Sequence, residues 1–133
     1  MIGNNKFVWV VFGDPPSAKN NLRISRRGQV YHKDNSVITY KQLFAFQTPA
    51  KFKKNITMPV YVHTVIYCKN RRKDFHNLTA VVYDALEYAG VIKNDRLIVA
   101  WSATTGIDSF KPRVELWVQE IDKIEGARIA FAI

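Results

Sequence analysis

Residues 73–96 constrain the fold of this chain most, because they place one helical pattern between two polar clusters. Asn77 has a side chain that can cap a first helical turn, and Gly90 suits an exit through a left-handed residue. The pattern predicts a helix of about 12 residues, about 18 Å long, between these two positions. Its apolar residues recur at i, i+3, i+4, i+7, i+8 and i+11, on one helical face: Leu78, Val81, Val82, Ala85, Leu86 and Ala89.

Two aspartates flank the predicted helix, Asp74 before it and Asp95 after it. A helix keeps its own ends apart, so it cannot by itself bring these carboxylates together. They would share a site only if the neighbouring strands returned the chain to the same edge of a sheet.

The other elements are predicted from apolar runs bounded by turn residues. Lys6–Phe12 shows no alternation of polar and apolar residues, which predicts a strand covered on both faces. The order of elements predicts an α+β domain with a mixed sheet, two packed helices and one right-handed parallel crossover, as a single domain over residues 1–133. The predicted strands are Lys6–Phe12, Val60–Cys68, 97–103 and 113–118, and a second helix, capped by Ser36, is predicted to run to about Gln47.

The composition favours a polyanionic partner. The 20 Lys and Arg residues against 11 Asp and Glu residues give a formal charge of +9, and neutralising phosphates releases counterions. A merely soluble basic protein is the alternative. Cys68 is the single cysteine, so no intrachain disulfide forms, which fits a reducing compartment. No secretory or membrane segment is recognised, and we expect a cytoplasmic protein.

Two cationic stretches are candidates for DNA contact. Residues 20–24 and 29–32 bracket Arg26-Arg27-Gly28, which predicts a hairpin that is either a basic flap over DNA or a solvated turn. The run of cations directly before Asp74 is either a solvated loop or a phosphate contact, and its position favours the contact. The DNA-binding candidates are Lys19, Arg23, Arg26, Arg27, Lys69, Arg71, Arg72 and Lys73.

The order of the motifs resembles that of the RusA family of Holliday junction resolvases, which are common in phages and prophages. The resemblance extends over most of residues 7–118. It implies a divalent-metal endonuclease that cuts branched DNA by paired nicks, as a homodimer with one site per strand. The matching runs are Pro15-Pro16-Ser17-Ala18-Lys19-Asn20, Asp74-Phe75-His76-Asn77-Leu78, Asp84-Ala85-Leu86 and Gly90-Val91-Ile92-Lys93-Asn94-Asp95.

The chain departs from the family pattern at three positions. His76 and Asn94 stand where the family has aspartates, and Ala80 stands where it has a lysine. Hydrolysis of a phosphodiester needs an activated water and neutralised charge, which carboxylate-held Mg²⁺ supplies. Mn²⁺ is the other candidate, because it suits imidazole better. We expect catalytic roles for Asp74, His76, Asp95 and Lys93, and metal ligation by Asp74, His76, Asp95 and Asn94.

Several of these roles have alternatives. His76 lies on the side of Asp74 if the segment is extended, but it is otherwise a general base, a phosphate ligand or an ordinary residue at the helix start. Lys93 is expected to take the place of the family lysine. Asn77 and Asp84 are expected to support the site rather than to act in it.

Three functions therefore compete. The first is the junction-resolving endonuclease with a Mg²⁺ or Mn²⁺ cofactor. The second is a relative that binds branched DNA but has an eroded metal site. The third is a protein-interaction module whose basic surface is incidental. Metal binding separates the first two, and binding to a four-way junction separates both from the third.

Overall fold

The protein is described by a computed structural model, which covers residues 6–17, 22–32, 35–70 and 74–121. The weak alternation of the tail Ile121–Ile133 predicts either an extension of the sheet or a subunit interface, and this tail lies outside the described ranges from residue 122 onward. The strands are β1 (Lys6–Phe12), β2 (Leu22–Ile24), β3 (Val30–His32), β4 (Val60–Cys68), β5 (Ile98–Ile107) and β6 (Arg113–Glu120), and the α-helices are α1 (Ser36–Gln47) and α2 (Phe75–Tyr88).

Four strands form one mixed sheet in the order β1-β6-β4-β5. β6 runs antiparallel to both β1 and β4, whereas β4 and β5 are parallel, with Val60 beside Ile98 and Cys68 beside Ile107. α2 connects the two parallel strands, which confirms the predicted parallel connection. The predicted α+β class, with two helices on a mixed sheet, is thus confirmed.

The core lies between one face of the sheet and the two helices. In β1 the odd-numbered residues are buried and the even-numbered ones exposed. The prediction of a strand covered on both faces was therefore wrong, because a fully apolar strand can keep one apolar row in solvent. Trp9 packs edge-on against Phe44 of α1, with ring centroids 6.4 Å apart, which fixes α1 on the covered face.

α2 begins three residues earlier than the sequence suggested. Asp74, not Asn77, is the N-cap, and its Oδ1 accepts from the His76 amide at 2.9 Å. An aspartate in extended conformation caps a helix as well as asparagine does, so both residues satisfied the same local rule. The other end is as predicted, since Gly90 has a φ of 79° just beyond the helix.

The hairpin prediction is confirmed: β2 and β3 pair antiparallel and Gly28 has a φ of 79° at their turn. β5 continues to Ile107, four residues beyond the predicted end at position 103. Its register with β4 explains this length, because pairing continues as far as Cys68.

Candidate active site

Asp74 stands at the carboxyl edge of the two parallel strands. β4 ends at Cys68, and the chain must pass this edge before it enters α2. The edge is tied together by short hydrogen bonds: Asp14 Oδ1 accepts from the Lys69 amide at 2.9 Å, and the Cys68 carbonyl accepts from the Asp108 amide at 2.9 Å. Asp74 itself is exposed beside this braced edge.

A second acidic group lies at the other end of α2. The carboxyl groups of Asp84 and Asp95 are within hydrogen-bonding range of each other, although 11 residues separate them in the sequence. Glu87 Oε1 accepts from the Asp95 amide at 3.2 Å, which holds the turn after the helix against its last two turns. Lys41 of α1 lies close enough to act on Asp84 electrostatically.

The pKa of Asp84 is raised above its ordinary value. Partial burial is the main cause, and the nearby Asp95 and Glu87 carboxylates add to it, while Lys41 acts in the opposite direction. Two carboxyl groups that share a hydrogen bond disfavour holding two negative charges at once. Such a pair suits a divalent cation, which supplies the missing positive charge through oxygen ligands.

Asp74 and Asp95 do not come together within one chain. α2 has 14 residues and is therefore about 21 Å long, with Asp74 capping its start and Asp95 beyond its end. In a parallel crossover, the segment before the helix leaves the carboxyl edge and the segment after it returns to the amino edge. Within residues 6–17, 22–32, 35–70 and 74–121, no three His, Cys, Asp or Glu side chains are grouped to hold a metal.

The other predicted site residues divide between these two ends. His76 is exposed next to Asp74, with its ring edge-on to Phe75 at 5.5 Å. Lys93 is exposed near the Asp95 end, and Asn94 Oδ1 accepts from the Arg96 amide at 2.8 Å, capping a short 3-10 turn. Asn94 thus uses its oxygen in a structural hydrogen bond. Asn77 is half-buried in the first turn of α2.

Three of the predicted DNA-contacting cations are described in full. Arg26 and Arg27 are exposed at the β2–β3 turn, and Lys69 is exposed at the carboxyl edge. Arg23 lies within β2. The remaining candidates lie outside the described residues: Lys19, Arg71, Arg72 and Lys73.

Sequence reasoning gave Asp84 only a supporting role and did not pair it with Asp95. The signal for the pair was present but indirect. Asp84 lies off the apolar face of α2, and Gly90 reverses the chain directly after that helix. A helix followed by a tight reversal can bring its penultimate turn next to the following segment. Lys41 offered no such signal, because it lies on a different helix.

In the described part of the chain, no helix is long and apolar enough to cross a membrane. The fold is a two-layer α+β domain with acidic residues at both ends of its crossover helix and an exposed lysine near each end, Lys69 and Lys93.

Comparison with known proteins assigns this domain to a class. Residues 14–119 match the sequence model of the family described as Endodeoxyribonuclease RusA. The chain belongs to the RusA family of endodeoxyribonucleases, the Holliday junction resolvases that its motifs resemble. Among its relatives is the Crossover junction endodeoxyribonuclease RusA of Aquifex aeolicus (strain VF5), which is 30% identical over 100 residues, spanning 74% of this chain and 79% of that protein.

Proposed function

We propose that this protein is a divalent-metal-dependent endonuclease that resolves four-way DNA junctions by paired nicks, and that it acts as a homodimer. Membership in the RusA family supports junction cleavage. The observation that supports the metal dependence is the Asp84–Asp95 carboxyl pair, because the mutual repulsion of the two groups and the raised pKa of Asp84 suit a bound cation.

The residues of one chain supply two half-sites. Asp84 and Asp95 would hold Mg²⁺ or Mn²⁺ at the end of α2, with Asn94 and Lys93 beside them. Asp74 and His76 lie at the start of α2. When bound, the cation supplies the charge neutralisation and the activated water that phosphodiester hydrolysis requires. In this proposal, Lys93 binds a phosphate oxygen and His76 accepts or holds a proton.

The homodimer joins the two half-sites. A two-fold axis that places α2 antiparallel to the same helix of a second copy brings the start of one helix to the end of the other. Asp74 and His76 of one chain would then face Asp84 and Asp95 of the partner subunit. Two such sites arise by symmetry, one for each strand that must be nicked.

The exposed cations account for substrate attraction. Lys69 lies at the sheet edge near Asp74, and Arg26 and Arg27 lie at the turn of the separate β2–β3 hairpin. With a formal charge of +9, the chain attracts the dense phosphates around a junction, where four duplexes meet.

The direct test is incubation of the purified protein with an end-labelled four-way junction and Mg²⁺ or Mn²⁺. Symmetric nicks that yield two ligatable duplexes support the proposal, and EDTA should abolish them. Binding of the junction without nicks in either metal would instead identify a binding-only relative. Absence of any junction binding would favour an interaction module.

A further inference from the structure

A cavity of about 530 Å³ opens beside Asp74, between the start of α2 and the end of β5. This size falls in the range of small-molecule and cofactor pockets. It lies at the carboxyl ends of the two parallel strands, where open α/β sheets commonly bind ligands. Its walls come from three segments: Cys68 and Asn70 after β4, Phe75 and Leu78 of α2, and residues 105–107 of β5.

The chemistry of the cavity wall restricts what can enter. Among the residues that the structure describes, no side chain lining the cavity carries a charge, although Lys69 and Asp74 adjoin lining residues in the chain. A free phosphate or a metal ion would find no counter-charge among these described lining side chains. A flat neutral group attached to a phosphate chain fits better, because the phosphates can stay with the outer cations while the neutral group enters.

Phe75 gives the cavity an aromatic wall that is accessible from solvent, with 37% of the side chain exposed. It also lines a second cavity of about 260 Å³, next to His76 and Trp101. Trp101 is 54% exposed and lies on the same face of β5 as Thr105. Successive aromatic rings along a groove are the usual platform for unpaired bases, because every base has a stacking face.

We propose that the larger cavity binds one unstacked nucleobase of the junction, next to the phosphate that is cut. The inference rests on the proposed junction-cleaving function and adds to it a base-binding site. Phe75 stacks on the base, and the exposed Thr105 hydroxyl meets its edge. Seating the base there turns the adjoining phosphodiester toward Asp74, so Phe75 and Thr105 position the substrate without touching the reacting atoms.

The test uses a junction that carries 2-aminopurine at the crossover nucleotide, bound in EDTA so that no cleavage occurs. Fluorescence of 2-aminopurine should rise on binding of wild-type protein, because the base leaves its stack. Thr105→Trp fills the cavity and should suppress the rise. Phe75→Ala should suppress it as well and should slow cleavage about tenfold, the effect of losing one base–aromatic stack.

Thr104 of β5 is a matched control for Thr105. Thr104 is exposed on the opposite face of β5, since it lies beside Val65 whereas Thr105 lies beside the buried Ile66. Thr104→Trp should leave the fluorescence rise intact. So should Phe46→Ala, which removes an 87% exposed ring from α1.

Fluorescence anisotropy of the labelled junction, measured in parallel, reports binding itself. Wild-type protein that binds and cleaves the junction without a fluorescence rise would overturn the base site but leave the proposed function standing. An equal rise with Thr105→Trp and Thr104→Trp would also overturn it. Failure of wild-type protein to bind any junction would refute both proposals together.

Discussion

Asp84 and Asp95 lie within hydrogen-bonding range of each other, at the opposite end of α2 from Asp74. This contact places a carboxyl pair where the sequence suggested only one carboxylate. It also leaves Asp74 about 15 Å away from Asp84 along the helix axis.

Replacing Asp84 should stabilise the metal-free protein and at the same time weaken its metal binding. The pKa of Asp84 is raised in the folded state, so ionisation of this carboxyl group destabilises the fold. The stability contributed by the protonated carboxyl is fully present below the ordinary pKa of 3.8 and is lost as the pH rises through the folded-state pKa. Asp84→Asn should therefore raise the melting temperature of the metal-free protein at pH 7, by on the order of 1–2 °C. The gain should vanish near pH 3, where the wild-type carboxyl is also protonated.

The same substitution should weaken the stabilisation that Mg²⁺ or Mn²⁺ confers in a thermal shift assay. Glu87→Gln is the matched control, because it removes a nearby charge outside the pair. A metal-induced shift that survives Asp84→Asn and disappears with Glu87→Gln would place the cation elsewhere.

Mixing two inactive variants should restore about a quarter of the wild-type activity, because about half of the dimers are then mixed and each of these has one intact site of two. Asp74→Asn and Asp95→Asn should each abolish cleavage and leave junction binding intact or tighter, since each removes a negative charge near phosphate. If each site takes Asp74 from one chain and Asp95 from the partner subunit, a mixed dimer retains one intact site. The mixture should then nick one strand per junction, measured on a denaturing gel. A mixture as inactive as its components would show that each chain carries its own site.

Substitution of His76 should reveal its role through the choice of metal. His76→Asp restores the carboxylate of the family pattern, and oxygen ligands suit Mg²⁺ better than imidazole does. If His76 is a metal ligand, the variant should be relatively more active with Mg²⁺ than with Mn²⁺. Lower activity with both metals would identify His76 as the base. Unchanged activity in both His76→Asp and His76→Ala would make it an ordinary residue at the helix start.

Junction binding should depend steeply on salt. Each phosphate-contacting cation adds about one unit to the slope of log affinity against log salt concentration. Lys69→Ala should lower that slope and weaken binding to all DNA sequences alike, and so should the double variant Arg26→Ala with Arg27→Ala. Lys54→Ala tests an exposed lysine of the loop after α1 and should change the slope least. An affinity that is insensitive to salt would contradict a phosphate-dominated interface.

The protein should sediment at about twice the 15.3 kDa of one chain, because the two half-sites require a partner. Analytical ultracentrifugation at micromolar concentration, with and without junction DNA, measures this directly. A strict monomer under both conditions would exclude paired cleavage by the proposed dimer.

Local patterns in the sequence determined most of the secondary structure. The bounds of β1, β4 and α1 follow directly from apolar runs and their flanking turn residues. The parallel crossover through α2 followed from element order alone. These features depend on residues that are near each other in the chain, where hydrophobic period and capping preference act.

Tertiary structure decided which carboxylates meet. The family resemblance marked Asp74 and Asp95 as residues of one site, yet a parallel crossover sends the two ends of its helix to opposite edges of the sheet. The turn after Gly90, the parallel bridge between Ile92 and Ile56, and the hydrogen bond from the Asp95 amide to Glu87 hold Asp95 beside Asp84. Distances of this kind depend on how distant segments pack, which no periodicity within a segment encodes.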